Sequence, residues 1–171
     1  MILIKNGTII DPSCKREEKG DLLIADGKIA RIAPCGEIQE EGCEVIDATG
    51  MVVAPGLVDV HVHFRDPGFT YKEDIDTGAQ AALQGGFTSV VLMANTKPVV
   101  DNEETLDYVL EKGKNTPIHV YSCASISKGL QGKELVDMAL LYSKGAAGFT
   151  DDGIPLLDVD ILEQAFVKAA S

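Results

Sequence analysis

Two histidines one residue apart, His61 and His63, close the apolar run Gly56-Leu-Val-Asp-Val-His-Val-His, and Arg65 lies two residues further on. On a β-strand, residues two apart face the same way, so both imidazoles and the guanidinium can converge on one spot. Neutral imidazoles suit Zn²⁺ or a similar borderline metal. A planar guanidinium suits a carboxylate, which it grips through two parallel N–H donors. The pattern points to a metal site with an anion clamp beside it. A bare His-x-His also occurs in ordinary strands whose rings satisfy local hydrogen bonds, so the weight falls on what else the chain brings to the same place.

Two more segments carry groups of the right kind. Asn95 stands in Met93-Ala-Asn-Thr-Lys-Pro98, and an acidic pair opens Asp151-Asp152-Gly153. A carboxylate added to two imidazoles makes a partial ligand set for a catalytic divalent ion. Adjacent aspartates point in different directions, so at most one of Asp151 and Asp152 is a direct ligand. The other reading of that pair is a turn that caps a helix. His119 opens its strand, at the opposite end from the other groups, and is expected to have a core or surface role.

The elements that must position these groups fall into two parts. Residues 1–54 read as short strands joined by tight turns. Asn6-Gly7 and Asp26-Gly27 are hairpin dipeptides, since both residue types tolerate positive φ. Leu22–Ala25 and Lys28–Ile32 flank the second of these, and Val45–Asp47 and Met51–Ala54 follow. From residue 55 the pattern becomes strand–helix alternation, the mark of a parallel sheet built from βα units. The expected strands are Leu57–His63, Phe87–Met93, Ile118–Ala124 and Ala146–Thr150.

The first helix is expected to open on a capping box, Thr70-x-x-Glu73, and to run through Ile75, Ala79 and Ala82 to Gly85-Gly86. Asp101 or Asn102 caps the second, which carries Leu106, Val109 and Leu110. The third spans Glu134–Lys144. The fourth starts at Asp158 and carries Ile161, Leu162, Ala165 and Phe166. Four βα units are half of an eight-unit barrel, whose functional face is the C-terminal end of the strands. His61, His63, Arg65, Asn95 and the Asp151-Asp152 pair all fall at that face. The fold class expected is α/β: the first half of a (β/α)₈ barrel (55–171) preceded by a small β-rich segment (1–54). The chain stops inside its fourth helix, so it reads as the N-terminal part of a longer protein.

Composition narrows the function classes. The 171 residues carry 15 Lys and Arg against 27 Asp and Glu, a formal net charge of −12. That balance disfavours nucleic-acid backbones and anionic membranes as partners, while one well-placed arginine still serves an anionic small molecule. No apolar stretch approaches the ~20 residues of a membrane helix, and no signal peptide opens the chain. The four cysteines show no Cys-x-x-Cys spacing and read as reduced thiols, with a cytoplasmic setting the expectation.

Pro55-Gly-Leu-Val-Asp-Val-His-Val-His-Phe-Arg-Asp-Pro-Gly68 resembles the signature of bacterial dihydroorotases, within the amidohydrolase superfamily. So do Thr77-Gly78, Gly85-Gly86-Phe87-Thr88, Asn95-Thr96-x-Pro98 and Phe149-Thr-Asp-Asp-Gly153. The likeness extends over the whole chain, its β-rich start resembling the family's N-terminal contribution to a β-sandwich.

The resemblance implies a zinc-dependent cyclic amidohydrolase with one or two ions per full-length subunit. It would interconvert N-carbamoyl-L-aspartate and dihydroorotate in pyrimidine biosynthesis. It implies His61, His63 and Asp152 as metal ligands, and Arg65 and Asn95 as holders of the substrate carboxylate. No catalytic acid–base residue is implied within the chain; the family's aspartate lies beyond residue 171. Ala94 departs from the proline usual before Asn-Thr, which would loosen that loop. A homodimer and an aspartate carbamoyltransferase partner also accompany the resemblance. Two other readings stand beside it. One is a hydantoinase- or allantoinase-type amidase, against which Arg65 speaks. The other is a non-catalytic dihydroorotase-like scaffold, against which the intact ligand set speaks.

Overall fold

A computed structural model of the chain describes residues 1–170. They form two compact units, one of Met1–Pro55 and one beginning at Gly56.

The first unit is a mixed sheet of five strands: β1 (Ile2–Asp11), β2 (Arg16–Ala25), β3 (Lys28–Ala33), β4 (Glu44–Asp47) and β5 (Val52–Val53). The order is β3-β2-β1-β4, with β5 also pairing β1. The β2–β3 turn is the expected one: Asp26 and Gly27 both take positive φ, 51° and 71°. Asn6-Gly7 does something else. Asn6 has φ 63°, but it lies inside β1, where the register with β2 shifts between Ile4 and Gly7. The dipeptide makes a β-bulge and not a hairpin, because its left-handed residue serves to kink a long strand. Gly7 is required there, since a Cβ would stand 2.5 Å from the Val53 side chain of β5. The small core consists of Leu3, Leu23 and Ile38.

The second unit contains four parallel strands, β6 (Leu57–Val62), β7 (Phe87–Leu92), β8 (His119–Ala124) and β9 (Gly148–Phe149), in the order β6-β7-β8-β9. Helices α1 (Ile75–Gln84), α2 (Glu103–Gly113), α3 (Met138–Ser143) and α4 (Val159–Ala169) follow the strands in turn. Each strand thus neighbours the next one in sequence, as in the first half of a (β/α)₈ barrel. One core joins Ile75 and Ala79 of α1, Val90 and Leu92 of β7, Leu106 and Val109 of α2, and Leu141 of α3. Gly78 lets α1 lie against the Phe64 ring, where a Cβ would come within 2.5 Å of the ring.

Three local expectations are corrected. Helix α1 is capped by Asp74, whose carboxylate accepts from Thr77 N at 2.8 Å, with the Thr77 hydroxyl returning to Asp74 N. The capping box is therefore Asp74–Thr77, not Thr70–Glu73, and the Glu73 carboxylate instead accepts from the Thr77 hydroxyl. Helix α3 is shorter than Glu134–Lys144, because Leu135 and Val136 pair with the segment after β8. Leu135 bridges Ser127, and Val136 N donates to Ile126 O at 3.0 Å. Asp137 then starts the helix by accepting from Leu140 N. The fourth strand reduces to Gly148–Phe149, paired with Cys123 and Ala124.

Of the two residues offered as caps for α2, Asn102 does the work, and Asp101 instead accepts from Gly129 N. On α4 only Ala165 is buried, while Phe166 is 68% exposed. Among the described residues no helix is long and apolar enough to cross a membrane.

Candidate metal centre

The tips of β6 and β9 lie at opposite ends of the four-stranded sheet. Laid flat, strands three spacings apart would be separated by about 14 Å. The sheet curls, and the His61 Nε2 and Asp152 Oδ1 atoms come within 3.3 Å of each other. His63 Nε2 lies 3.4 Å from the other oxygen, Asp152 Oδ2. The two imidazoles pack edge to face, 5.2 Å between centroids. One ligand atom from each of His61, His63 and Asp152 lies within 4.8 Å of the other two, the only such group among the described residues. His119 takes no part: it is exposed at the start of β8, beside Tyr121.

The donor set, two imidazoles and a carboxylate, is of the kind a divalent cation takes. A charge-assisted N–H···O bond is ordinarily about 2.7–2.9 Å. Each imidazole faces a different carboxylate oxygen, at 3.3 and 3.4 Å, longer than such a hydrogen bond.

The acidic pair divides its labour. Asp151 is buried, its Oδ1 accepting from Ile126 N at 2.7 Å and Ser127 N at 3.1 Å. Its Oδ2 accepts from the Ser127 hydroxyl. The carboxylate thus fastens the loop after β8 to the tip of β9. Asp152, pointing the other way, faces the histidines.

Asn95, after β7, is the junction of the site. Its Oδ1 lies 2.9 Å from His63 Nδ1 and accepts from Arg65 Nη1 at 3.3 Å. Its Nδ2 donates to Asp152 Oδ2 at 3.2 Å. The loop that carries it is well tied despite Ala94. Thr96 N and Val100 N both donate to Ala94 O, the Thr96 hydroxyl donates to Pro98 O at 2.7 Å, and Ala94 is buried. A proline is unnecessary where three hydrogen bonds already close the turn.

Arg65 is held in the left-handed region, φ 46°. A non-glycine residue kept there costs on the order of 1 kcal/mol and persists only where its surroundings insist on it. The next residue provides that insistence. Asp66 is fully buried and accepts from Tyr108 Oη at 2.9 Å, Lys112 Nζ at 2.6 Å and Ile75 N at 3.3 Å. One carboxylate thereby ties the Arg65 loop to the start of α1 and the exposed side of α2. Lys97 N donates to Pro67 O at 3.1 Å, which locks the Arg65 and Asn95 loops together.

The hydrogen bond to Asp66 holds the Lys112 ammonium above its usual range, against the opposing effect of burial. Burial, followed by the same carboxylate, raises the Tyr108 phenol. Reading the sequence alone missed this support. Its trace was there, in Tyr108 and Lys112 spaced four apart on one helix face and able to share a partner.

Comparison with known proteins identifies the family. The family described as "Dihydro-orotase-like" matches residues 50–171. The chain is 59% identical over 169 residues to a dihydroorotase of Clostridioides difficile, covering 99% of this chain and 40% of that protein. It is 54% identical to a dihydroorotase of Streptococcus pneumoniae, with the same coverage. Among solved structures, an L-hydantoinase (dihydropyrimidinase) from Arthrobacter aurescens superposes with a TM-score of 0.74 at 25% identity, over 99% of this chain and 38% of that one. The chain therefore spans about 40% of the length of the curated relatives it matches. On the family match and these identities, it belongs to the dihydro-orotase-like family.

Proposed function

We propose that this chain supplies the metal-binding and carboxylate-gripping half of a zinc-dependent dihydroorotase. The whole enzyme would interconvert N-carbamoyl-L-aspartate and dihydroorotate in the cytoplasm, within pyrimidine biosynthesis. The observation that carries the reading is the convergence of His61, His63 and Asp152 from opposite ends of the sheet, with Arg65 joined to them through Asn95.

In this reading His61, His63 and Asp152 hold the ion. When bound, a divalent cation supplies Lewis acidity toward a carbonyl and makes water more acidic. The residues of this chain do the rest of the positioning. Arg65 offers its planar fork to the substrate carboxylate, an arrangement that fixes ring orientation as well as charge. Asn95 would contact the same carboxylate.

In the hydrolytic direction, water adds to the ring carbonyl carbon, the carbon–nitrogen bond breaks, and the departing nitrogen takes a proton. No carboxylate among the described residues of this site is free for that transfer. Asp151 is occupied by three donors and Asp152 faces the imidazoles. The proton carrier is assigned to the part of the protein that corresponds to the remaining length of the relatives.

The hydantoinase likeness supports the same scaffold with a different substrate. Arg65 and the much higher identity to dihydroorotases favour a substrate bearing a carboxylate. The test is an assay of the full-length protein, with its metal content determined, on dihydroorotate and on a hydantoin lacking the carboxylate. Turnover of dihydroorotate, lost with chelator and restored by zinc, is expected. Preference for the uncharged ring would overturn the assignment.

A further inference from the structure

The geometry points to Asn95 as the residue that sets the tautomer of His63, and hence makes its Nε2 available to a metal. It is a positioning residue, acting through the imidazole. The inference rests on reading His61, His63 and Asp152 as the metal site, and it does not depend on which substrate is turned over.

The steps follow from donor and acceptor chemistry alone. A guanidinium has only donors, so the Asn95 atom that meets Arg65 must be the amide oxygen. The two contacts, Arg65 Nη1 to Oδ1 at 3.3 Å and Nδ2 to Asp152 Oδ2 at 3.2 Å, fix the amide in one orientation from both ends. A carboxylate oxygen accepts and does not donate, so the amino group must face Asp152. The oxygen, held in that orientation, is also the atom 2.9 Å from His63 Nδ1. An acceptor there obliges Nδ1 to carry the hydrogen. Asp152 Oδ2 also faces the ring, but at 3.4 Å from Nε2 it is beyond the ~2.7–2.9 Å of a charge-assisted hydrogen bond. The closer Asn95 oxygen therefore accepts from Nδ1–H, and the neutral ring keeps its lone pair on Nε2. A metal-binding imidazole commonly has its other nitrogen fixed in this manner by an acceptor behind it.

The arrangement couples two functions. Arg65, whose fork is offered to the substrate, also holds the Asn95 amide against flipping. Asn95 touches a ligand histidine and the ligand carboxylate at once. Without the Arg65 contact, only the bond from Nδ2 to Asp152 Oδ2 keeps the amino group from turning toward His63.

The test reads the tautomer directly. In the metal-free full-length protein labelled with ¹⁵N-histidine, long-range nitrogen–proton correlations in alkaline buffer distinguish Nδ1–H from Nε2–H. His63 is expected to be Nδ1–H, against the preference of a free neutral imidazole. Observation of Nε2–H at His63 in the unmodified protein would overturn the inference, whether or not the protein hydrolyses dihydroorotate.

Two variants extend the test. Asn95→Leu removes the acceptor, and zinc affinity by chelator competition should fall about 10–100-fold. Asn95→Asp restores an acceptor at either oxygen, so Nδ1–H should persist and zinc affinity should stay within a few-fold of the unmodified protein or exceed it. Equal loss of zinc affinity in both variants, with both folded by circular dichroism, would also overturn it.

Discussion

The buried carboxylate of the β-rich unit and the half-buried one at the tip of the parallel sheet meet different partners. Asp21 accepts from two backbone groups, Asn6 N at 2.9 Å and Gly36 N at 2.7 Å. It pins the bulge of β1 to the turn after β3, and its lone pairs are directed at the chain's own main chain. Asp152 faces side chains instead: two imidazoles and the Asn95 amide.

A carboxylate saturated by backbone donors maintains a shape, and one surrounded by imidazole nitrogens is available for a cation. The second unit repeats the distinction within single dipeptides. In Arg65-Asp66 and in Asp151-Asp152, one residue anchors a loop and its neighbour presents a group to the site. Anchors placed next to presenting groups limit how far the latter can wander, which is what a preorganised site requires.

Exchanging the acids for amides should separate the two kinds most sharply. On the proposed reading of the site, Asp152→Asn removes one donor of the ion. A four-ligand zinc site is typically worth about 10–16 kcal/mol, so the share of one ligand is about 2.5–4 kcal/mol, or on the order of 10²–10³ in affinity. Chelator competition should report a loss of that size with little change in melting temperature. Asp151→Asn should do the reverse. Weakening its bonds to Ile126, Ser127 N and the Ser127 hydroxyl should cost about 2–4 kcal/mol of unfolding free energy. The folded fraction should keep its zinc. Equal loss of metal in both would erase the distinction.

Asp21→Ala carries the comparison into the other unit. It leaves two backbone N–H groups without their acceptor, at a cost of about 2–3 kcal/mol in stability. Denaturant midpoints should fall while metal content per folded chain stays constant. A fall in zinc affinity would show that the β-rich unit is not merely architectural.

A smaller effect is expected at the clamp. Arg65→Lys keeps the charge but loses the fork, and KM for dihydroorotate in the full-length enzyme should rise about tenfold, ~1.4 kcal/mol. Unmodified steady-state kinetics from this variant would remove the clamp from the proposal.

How far these features could be read from residues alone depends on the range of the interactions. The βα alternation, the Asp26-Gly27 turn and the Asp158 cap were legible because period and turn chemistry are local. The placement of His61, His63, Asn95 and Asp152 at one end of the sheet was legible because barrel topology puts strand tips together. Asn6-Gly7 misled because positive φ serves a bulge as well as a hairpin, and only the cross-strand register decides between them. Thr70–Glu73 misled for a related reason: Asp74 competes for the same helix start and reaches the donors better. The short α3 was hidden because Val136 is held by Ile126 O, a contact that no helical period announces. Asp66 was missed because its partners lie 42 and 46 residues away, at Tyr108 and Lys112.

The smallest effect expected probes that anchor through pH. The ordinary values are 10.5 for the Lys112 ammonium and 10.0 for the Tyr108 phenol, and both are raised in the folded chain. For Lys112 the leading cause is the hydrogen bond to Asp66; for Tyr108 it is burial, with the bond to Asp66 next. A group whose value is raised on folding binds its proton more tightly when folded. Its contribution is complete below the unfolded value and is lost as pH climbs through the folded one. Stability carried by this cluster is therefore full at neutral pH, persists to about the ordinary tyrosine and lysine values, and declines only above them. Melting temperatures followed into the alkaline range should fall more steeply for the unmodified chain than for Asp66→Asn, which has already lost the charge that both groups share. Parallel curves would mean that Asp66 holds the Arg65 loop by its shape and its bond to Ile75 N, with its charge on Lys112 adding nothing.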